Sequence, residues 1–325
     1  MAISRRGSRF CLARGPAFKT APDPRQNRAG TAPETRYGRR MAAPIRLAFS
    51  PDSDDLFMFW ALLTGKIPTE GLTFVADRAD TEALNERVAR GDVDVCAVSI
   101  ARYAAIAHDW LLLPHGMSVG RHYGPVVIAN APCSLTDLAG KRIGTPGLKT
   151  TAHLVLSLVA PAFEAVVVPI SPFAKAFESL RTGSVDAVVL IHEGRLTYEK
   201  EGFALVADLG VAWAALTGGL PLPLGGNVIA RRLGSERITQ VSRLCHASIR
   251  WAMDHRDEVI DGLARADERA LGFDRAMVDR YLALYANDDT LNAPADVRKA
   301  VEELFTRAHA AKLHPDLVRV EYAPM

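Results

Sequence analysis

Cysteine is scarce in this sequence, and long apolar runs are missing. The four cysteines, Cys11, Cys96, Cys133 and Cys245, stand far apart, with neither redox nor metal-ligand spacing. That excludes a disulfide framework. It fits a reducing cytoplasm, with Cys96 as a small core residue. No apolar run reaches the roughly eighteen residues that a membrane span needs. Neither a P-loop nor a G-x-G-x-x-G occurs, so nucleotide binding is not indicated. No G-x-S-x-G offers a serine nucleophile. His108, His115, His122 and His153 lack paired spacing with carboxylates, so no metal site is expected. The chemistry this sequence can support therefore needs no metal and no cofactor.

Positive charge is also scarcer than it looks. The chain carries 39 basic and 37 acidic residues. Ten of the basic and only two of the acidic ones fall in the first forty residues. That leaves 29 basic against 35 acidic, a net charge of about −6 on the remainder. No nucleic-acid surface is expected there. The leader, residues 1–43, has no apolar period and is dotted with Pro, Gly and Arg, so it should be disordered. Its Ser4-Arg5-Arg6 is followed by no continuous apolar segment, which argues against an export signal. Met41 is the expected true start.

What the sequence does have is alternation. A strand at 45–49 leads through Ser50-Pro51-Asp52-Ser53-Asp54-Asp55 into a helix that ends near Gly65. Carboxylates at that helix start suit the macrodipole and suggest capping, with ligand contact as the second reading. Strands follow at 72–75 and 93–98, with a helix at 81–90 between them. Further along come strands at 141–145, 165–168 and 187–191, and helices at 150–159 and 172–181. Such βα alternation predicts parallel sheets covered by helices. After Gly234 the pattern turns helical: 236–253, 258–271, 276–285 and 297–313.

Two internal echoes organise the chain. Gly91-Asp92-Val93-Asp94 feeds one strand and Gly183-Ser184-Val185-Asp186 feeds another. The first strand ends at Ser99, the second at His192. Gly124-Pro125-Val126-Val127-Ile128-Ala129 is echoed by Gly225-Gly226-Asn227-Val228-Ile229-Ala230, as expected of two crossing strands. The reading is two lobes: residues 44–127 plus 228–325, and residues 128–227. A small-molecule cleft lies between them.

The apolar run Ala187-Val188-Val189-Leu190-Ile191 stops at His192. In open α/β folds the carboxyl ends of strands line the ligand crevice, so this imidazole is the candidate base. A structural His satisfying a backbone group is the competing reading. Across the cleft, Ala97, Val98 and Ser99 end the matching strand. The Ser99 hydroxyl either caps the next helix or binds a ligand carboxylate. Thr150 and Thr151 open a helix after a flexible loop, and offer hydroxyls together with free N–H groups. Helix capping is the alternative for Thr150.

At this point the residues resemble a known family. The chain from about 45 to 313 resembles the 1,4-dihydroxy-6-naphthoate synthases of the futalosine route to menaquinone. The closest match is Leu190-Ile191-His192-Glu193-Gly194-Arg195-Leu196-Thr197-Tyr198, with Asp208-Leu209-Gly210, Trp213, and Pro221-Leu222-Pro223-Leu224-Gly225. Ser50-Pro51 with Asp55 and Phe57, Leu84-Asn85, Gly120-Arg121, Gly124-Pro125 and Thr150-Thr151 also match. The resemblance implies an α/β, two-lobed periplasmic-binding-protein-like (type II) fold with two hinge crossovers and a helical C-terminal segment. It implies a cofactor-free carbon–carbon lyase that opens cyclic dehypoxanthinylfutalosine. His192 would be the base, with Thr150, Thr151 and the stretch Ala97-Val98-Ser99 as substrate contacts. The sequence departs from the family pattern Ser-Pro-Cys-Pro-Asn-Asp-Thr-Phe in its first turn, and it has Ala97 where the family often has lysine. These changes bear on the substrate more than on the fold. A binding protein for an anionic solute is the second function class, and it predicts an export signal.

Overall fold

The computed structural model describes residues 43–170, 172–266 and 273–325. Residues 1–42 of the expected basic leader, the start at Met41 and the end of the helix expected at 258–271 lie outside them.

The first lobe opens with β1 (Ile45–Phe49), α1 (Ser53–Leu63), β2 (Phe74–Arg78), α2 (Thr81–Arg90), β3 (Val95–Ser99) and α3 (Ile100–Tyr103). Short strands β4 (Trp110–Leu112) and β5 (Ser118–Gly120) follow. The chain then enters a second sheet through β6 (Val126–Ala129), β7 (Arg142–Thr145), α4 (Thr151–Val159), β8 (Glu164–Val167), α5 (Ala174–Arg181), β9 (Ala187–Leu190), β10 (Ala204–Asp208) and α6 (Leu209–Thr217). It returns through β11 (Leu222–Ala230) and ends in α7 (Ser235–Asp254), α8 (Arg256–Ala266), α9 (Arg275–Tyr285), α10 (Asp288–Leu291) and α11 (Ala295–Ala310). Among these helices, α7 packs on α1, and α11 packs on α3 and β11. The apolar faces of α1 and α7 meet in a core that includes Phe57, Met58, Ile249 and Leu244, all buried.

The two sheets share one plan. The first runs β2-β1-β3-β11-β4, with β5 also paired to β11; the second, reversed, runs β8-β7-β9-β6-β10. Strands β3 and β9, which begin after the Gly-x-Val-Asp echoes, occupy equivalent places. β3 lies parallel to β1 and antiparallel to β11, and β9 lies parallel to β7 and antiparallel to β6. The repeated aspartate has one job in both lobes. Asp94 accepts the Arg46 N–H at 2.7 Å, and Asp186 accepts the Arg142 N–H at 2.9 Å. In return the Asp94 and Asp186 N–H groups donate to the Arg46 and Arg142 carbonyls, both at 2.8 Å. The preceding Gly91 and Gly183 take φ of 69° and 67°, the left-handed turn that closes each helix before its strand.

Two expectations need correction. The sheets are mixed, not parallel throughout, because β6 and β11 enter against the direction of their neighbours. The boundaries expected at 127/128 and 227/228 fall inside β6 and β11. The passages lie earlier, at residues 121–125 and 218–221, since each echoed strand pairs within a single sheet. At these passages backbone meets backbone. A Cβ on Gly210 would stand 2.1 Å from the Tyr123 carbonyl oxygen, and one on Gly124 would stand 2.8 Å from the Gly210 nitrogen.

Candidate active site

The strand ends of both sheets face one cleft. Ala97, Val98, Ser99, Thr150, Thr151 and His192 all line it. Asp52, Asp54, Asp55, Thr81, Ser118 and Tyr281 join them, and among the described residues no Lys or Arg does.

His192 follows β9 after one residue, Ile191. Its backbone takes φ of 53°, a left-handed conformation rare for a residue with a side chain. Such strain persists only where the surroundings impose it, and it clusters at functional sites. The ring is 19% exposed and sits across the cleft from the turn after β1. Its Nδ1 lies 2.9 Å from Asp52 Oδ2, and its Nε2 lies 3.5 Å from Thr81 Oγ1. The Ser50 hydroxyl donates to the same Asp52 oxygen. Asp52 stands at the N-cap of α1, yet its side chain makes no capping hydrogen bond. The first N–H of that helix instead donates to Glu193 Oε1 at 3.2 Å, and the Ser53 hydroxyl donates to the same oxygen at 3.0 Å. A carboxylate from the second lobe thus does the capping that the sequence assigned to the local aspartates. Asp55 turns back to accept the Ser50 N–H at 2.8 Å.

Asp54, like its two neighbours, is buried. Ser118 Oγ donates to it at 2.6 Å and the Tyr281 hydroxyl at 3.2 Å. Burial raises its pKa above the ordinary carboxylate range, and the nearby charge of Asp52 pushes the same way. Burial likewise drives the Tyr281 phenol well above its ordinary value, with Asp54 adding to the effect.

On the opposite wall the hydroxyls are already engaged. Ser99 does not cap α3. Its oxygen accepts Asn85 Nδ2 at 3.2 Å, and its N–H donates to Asn85 Oδ1 at 3.1 Å. Thr150 does cap α4: its oxygen accepts the His153 N–H at 3.2 Å while its hydroxyl donates to the Gly147 carbonyl at 2.7 Å. Thr151 reaches across to the first lobe, donating to the Leu224 carbonyl at 2.7 Å and accepting the Ala101 N–H at 3.1 Å. Lys149 forms an ion pair with Glu86 beside it. Together with Asp52–His192 and Ser53–Glu193, these contacts hold the lobes closed on each other.

Asp52, Asp54, Thr81, Ser118, Asn85 and Tyr281 were not singled out as site residues by the sequence. Only the acidic first turn carried a signal, and it had two readings. Of the four histidines rejected as metal ligands, His115 is buried against Ser242 and His153 packs on Phe163. Among the described residues no cluster of three His, Cys, Asp or Glu side chains is placed to hold a metal ion, and no helix is long and apolar enough to cross a membrane.

Two sheets of the same plan around a central cleft define the class of two-lobed, periplasmic-binding-protein-like folds. The alkanesulfonate-binding protein of Xanthomonas axonopodis pv. citri, solved with MOPS bound, superposes with a TM-score of 0.65. At 19% identity over 86% of this chain and 98% of that one, it speaks for the fold alone. A solved protein of Archaeoglobus fulgidus is nearer, with a TM-score of 0.76 and 38% identity over 83% of this chain and 98% of that one. The 1,4-dihydroxy-6-naphthoate synthase of Streptomyces coelicolor is 35% identical over 280 residues, covering 85% of this chain and 96% of its own. That of Thermus thermophilus is 34% identical over 269 residues, covering 83% and 95%. A family model described as menaquinone biosynthesis matches residues 45–310. The chain belongs to this menaquinone-biosynthesis family.

Proposed function

We propose that this protein is a carbon–carbon lyase that opens cyclic dehypoxanthinylfutalosine to give 1,4-dihydroxy-6-naphthoate in the cytoplasm. The reading draws on its kinship with the naphthoate synthases of Streptomyces and Thermus. The observation that carries it is the strained imidazole of His192, largely buried at the mouth of a closed interlobe cleft. His192 is the general base that removes a substrate proton to start ring opening. Thr150, Thr151 and Ser99 line the cleft and are the substrate contacts in this reading. Ala97 and Val98 give the wall against which an apolar part of the ligand rests. No step in this scheme calls for a cofactor.

Purified protein incubated with the cyclic futalosine derivative should release the naphthoate, followed by absorbance and mass. Turnover should survive dialysis against a chelator. Binding without product would point to the solute-binding role of the same fold and overturn the proposal.

A further inference from the structure

Ser99 lines the cleft, and its hydroxyl is governed by a fully buried residue of α2. We infer that Asn85 is a positioning residue that makes the Ser99 hydroxyl a hydrogen-bond donor for a carboxylate oxygen of the ligand. The inference rests on the reading of Ser99 as a substrate contact, and it adds the residue that sets the polarity of that contact.

The hydrogen bonds carry it. The Ser99 N–H donates to Asn85 Oδ1 at 3.1 Å. That contact fixes which way round the side-chain amide sits, because a flipped amide would set its NH2 group against an N–H. Asn85 Nδ2 then meets acceptors: Ser99 Oγ at 3.2 Å, and the Lys149 carbonyl and Glu82 Oε2, each at 3.4 Å. An amide nitrogen has no lone pair to offer, so the Ser99 hydroxyl proton cannot point at it. The Ser99 oxygen is the acceptor in this pair, and its proton turns away. Among the described residues none accepts that proton. Ser99 is 4% exposed, so little water serves it either. A buried donor left without an acceptor costs free energy, and an acceptor on the ligand removes that cost.

Asn85 is itself firmly held. It is 0% exposed, and its carbonyl accepts Arg102 Nε at 2.8 Å. Its neighbour Leu84 anchors α2 in the core. Asn85 and Ser99 both belong to the first lobe, so the hydroxyl is oriented before the lobes close. The ligand chemistry follows from the donor. A carboxylate accepts hydrogen bonds and donates none. Among the described residues no Lys or Arg lines the cleft, so a ligand anion there depends on neutral donors of this kind.

The test uses the whole protein and two readouts. Hydrogen exchange at the Ser99 N–H, followed by NMR without ligand, should run roughly fivefold or more faster in Asn85→Ala, the scale of one lost hydrogen bond. Equilibrium binding of 1,4-dihydroxy-6-naphthoate is then compared with that of 1,4-dihydroxynaphthalene, the same rings without the carboxylate. Wild type should prefer the naphthoate. Ser99→Ala and Asn85→Ala should each weaken naphthoate binding about fivefold and leave the other ligand nearly unchanged. The double variant should bind no more weakly than Ser99→Ala, since Asn85 acts through that hydroxyl. Asn85→Leu, which keeps the volume, takes the place of Asn85→Ala if thermal melting shows the alanine variant unfolded. Losses that add in the double variant, unchanged exchange at Ser99, or a wild type that does not distinguish the two ligands overturns the inference. Neither readout needs turnover. A wild type that meets both but makes no naphthoate from the cyclic futalosine derivative would sink the lyase reading and leave Asn85 in its role.

Discussion

Asp54 shows how one buried side chain ties stability to pH. Burial raises its pKa, so ionising it costs the folded state more than the unfolded one. The sign follows from proton counts. Below the ordinary carboxylate range Asp54 is neutral in both states and contributes nothing against folding. As pH rises through that range the unfolded chain loses its proton first, and stability falls. Asp54→Asn keeps the shape and removes the ionisation. It should therefore melt at a higher temperature than wild type at pH 7, with the gap closing as pH drops towards 4. Melting curves across that window check it, and a gap that widens in acid would contradict it. Residue by residue, the sequence exposed one half of the cleft well. His192, Ser99, Thr150 and Thr151 stand at strand ends or a helix start, where local pattern alone predicts a cleft. Asp54, Ser118 and Tyr281 come from three separate elements, and Tyr281 is 227 residues away from the carboxylate it touches. No local signal can bring them together. The strain at His192 was equally hidden, since nothing in the sequence marks a left-handed histidine.

At the scale of elements the echoes were the readable part. Gly-x-Val-Asp recurs because each lobe needs a left-handed glycine to end a helix, and an aspartate to clamp an N–H at the start of the neighbouring strand. The pairing direction of β6 and β11 was not readable. An apolar run buried on both faces looks alike whichever way it enters a sheet. The passages between lobes make a sharper demand. Gly210, in the first turn of α6, lets that helix lie on the Tyr123 carbonyl, where a Cβ has no room. The obstacle is backbone, so it cannot rotate away. Gly210→Ala should destabilise the protein by about 1–3 kcal/mol, the usual cost of overpacking. Chemical denaturation measures this directly, and an unchanged midpoint would show that the passages can part without penalty.

At the scale of the whole molecule the lobes meet through a small set of polar contacts. Thr151 is the most economical of them, since one hydroxyl serves both Ala101 and Leu224 across the gap. Thr151→Val keeps the volume and removes both hydrogen bonds. At about 1 kcal/mol net for a typical hydrogen bond, closure should weaken and KM should rise roughly fivefold or more. Small-angle scattering of the ligand-free variant should show a larger radius of gyration than wild type. An unchanged radius would mean that other contacts alone hold the lobes together. Closure matters because His192 and Ser99 sit on different lobes, and the cleft becomes a reaction site only when the lobes meet. The measurement that bears most directly on this is a single-turnover assay of His192→Ala with the cyclic futalosine derivative, run beside an equilibrium binding measurement. Ligand should still bind while the chemical step slows by roughly two orders of magnitude or more, the scale of a lost general base. A variant that turns over at the wild-type rate would contradict the assignment of His192 as the base.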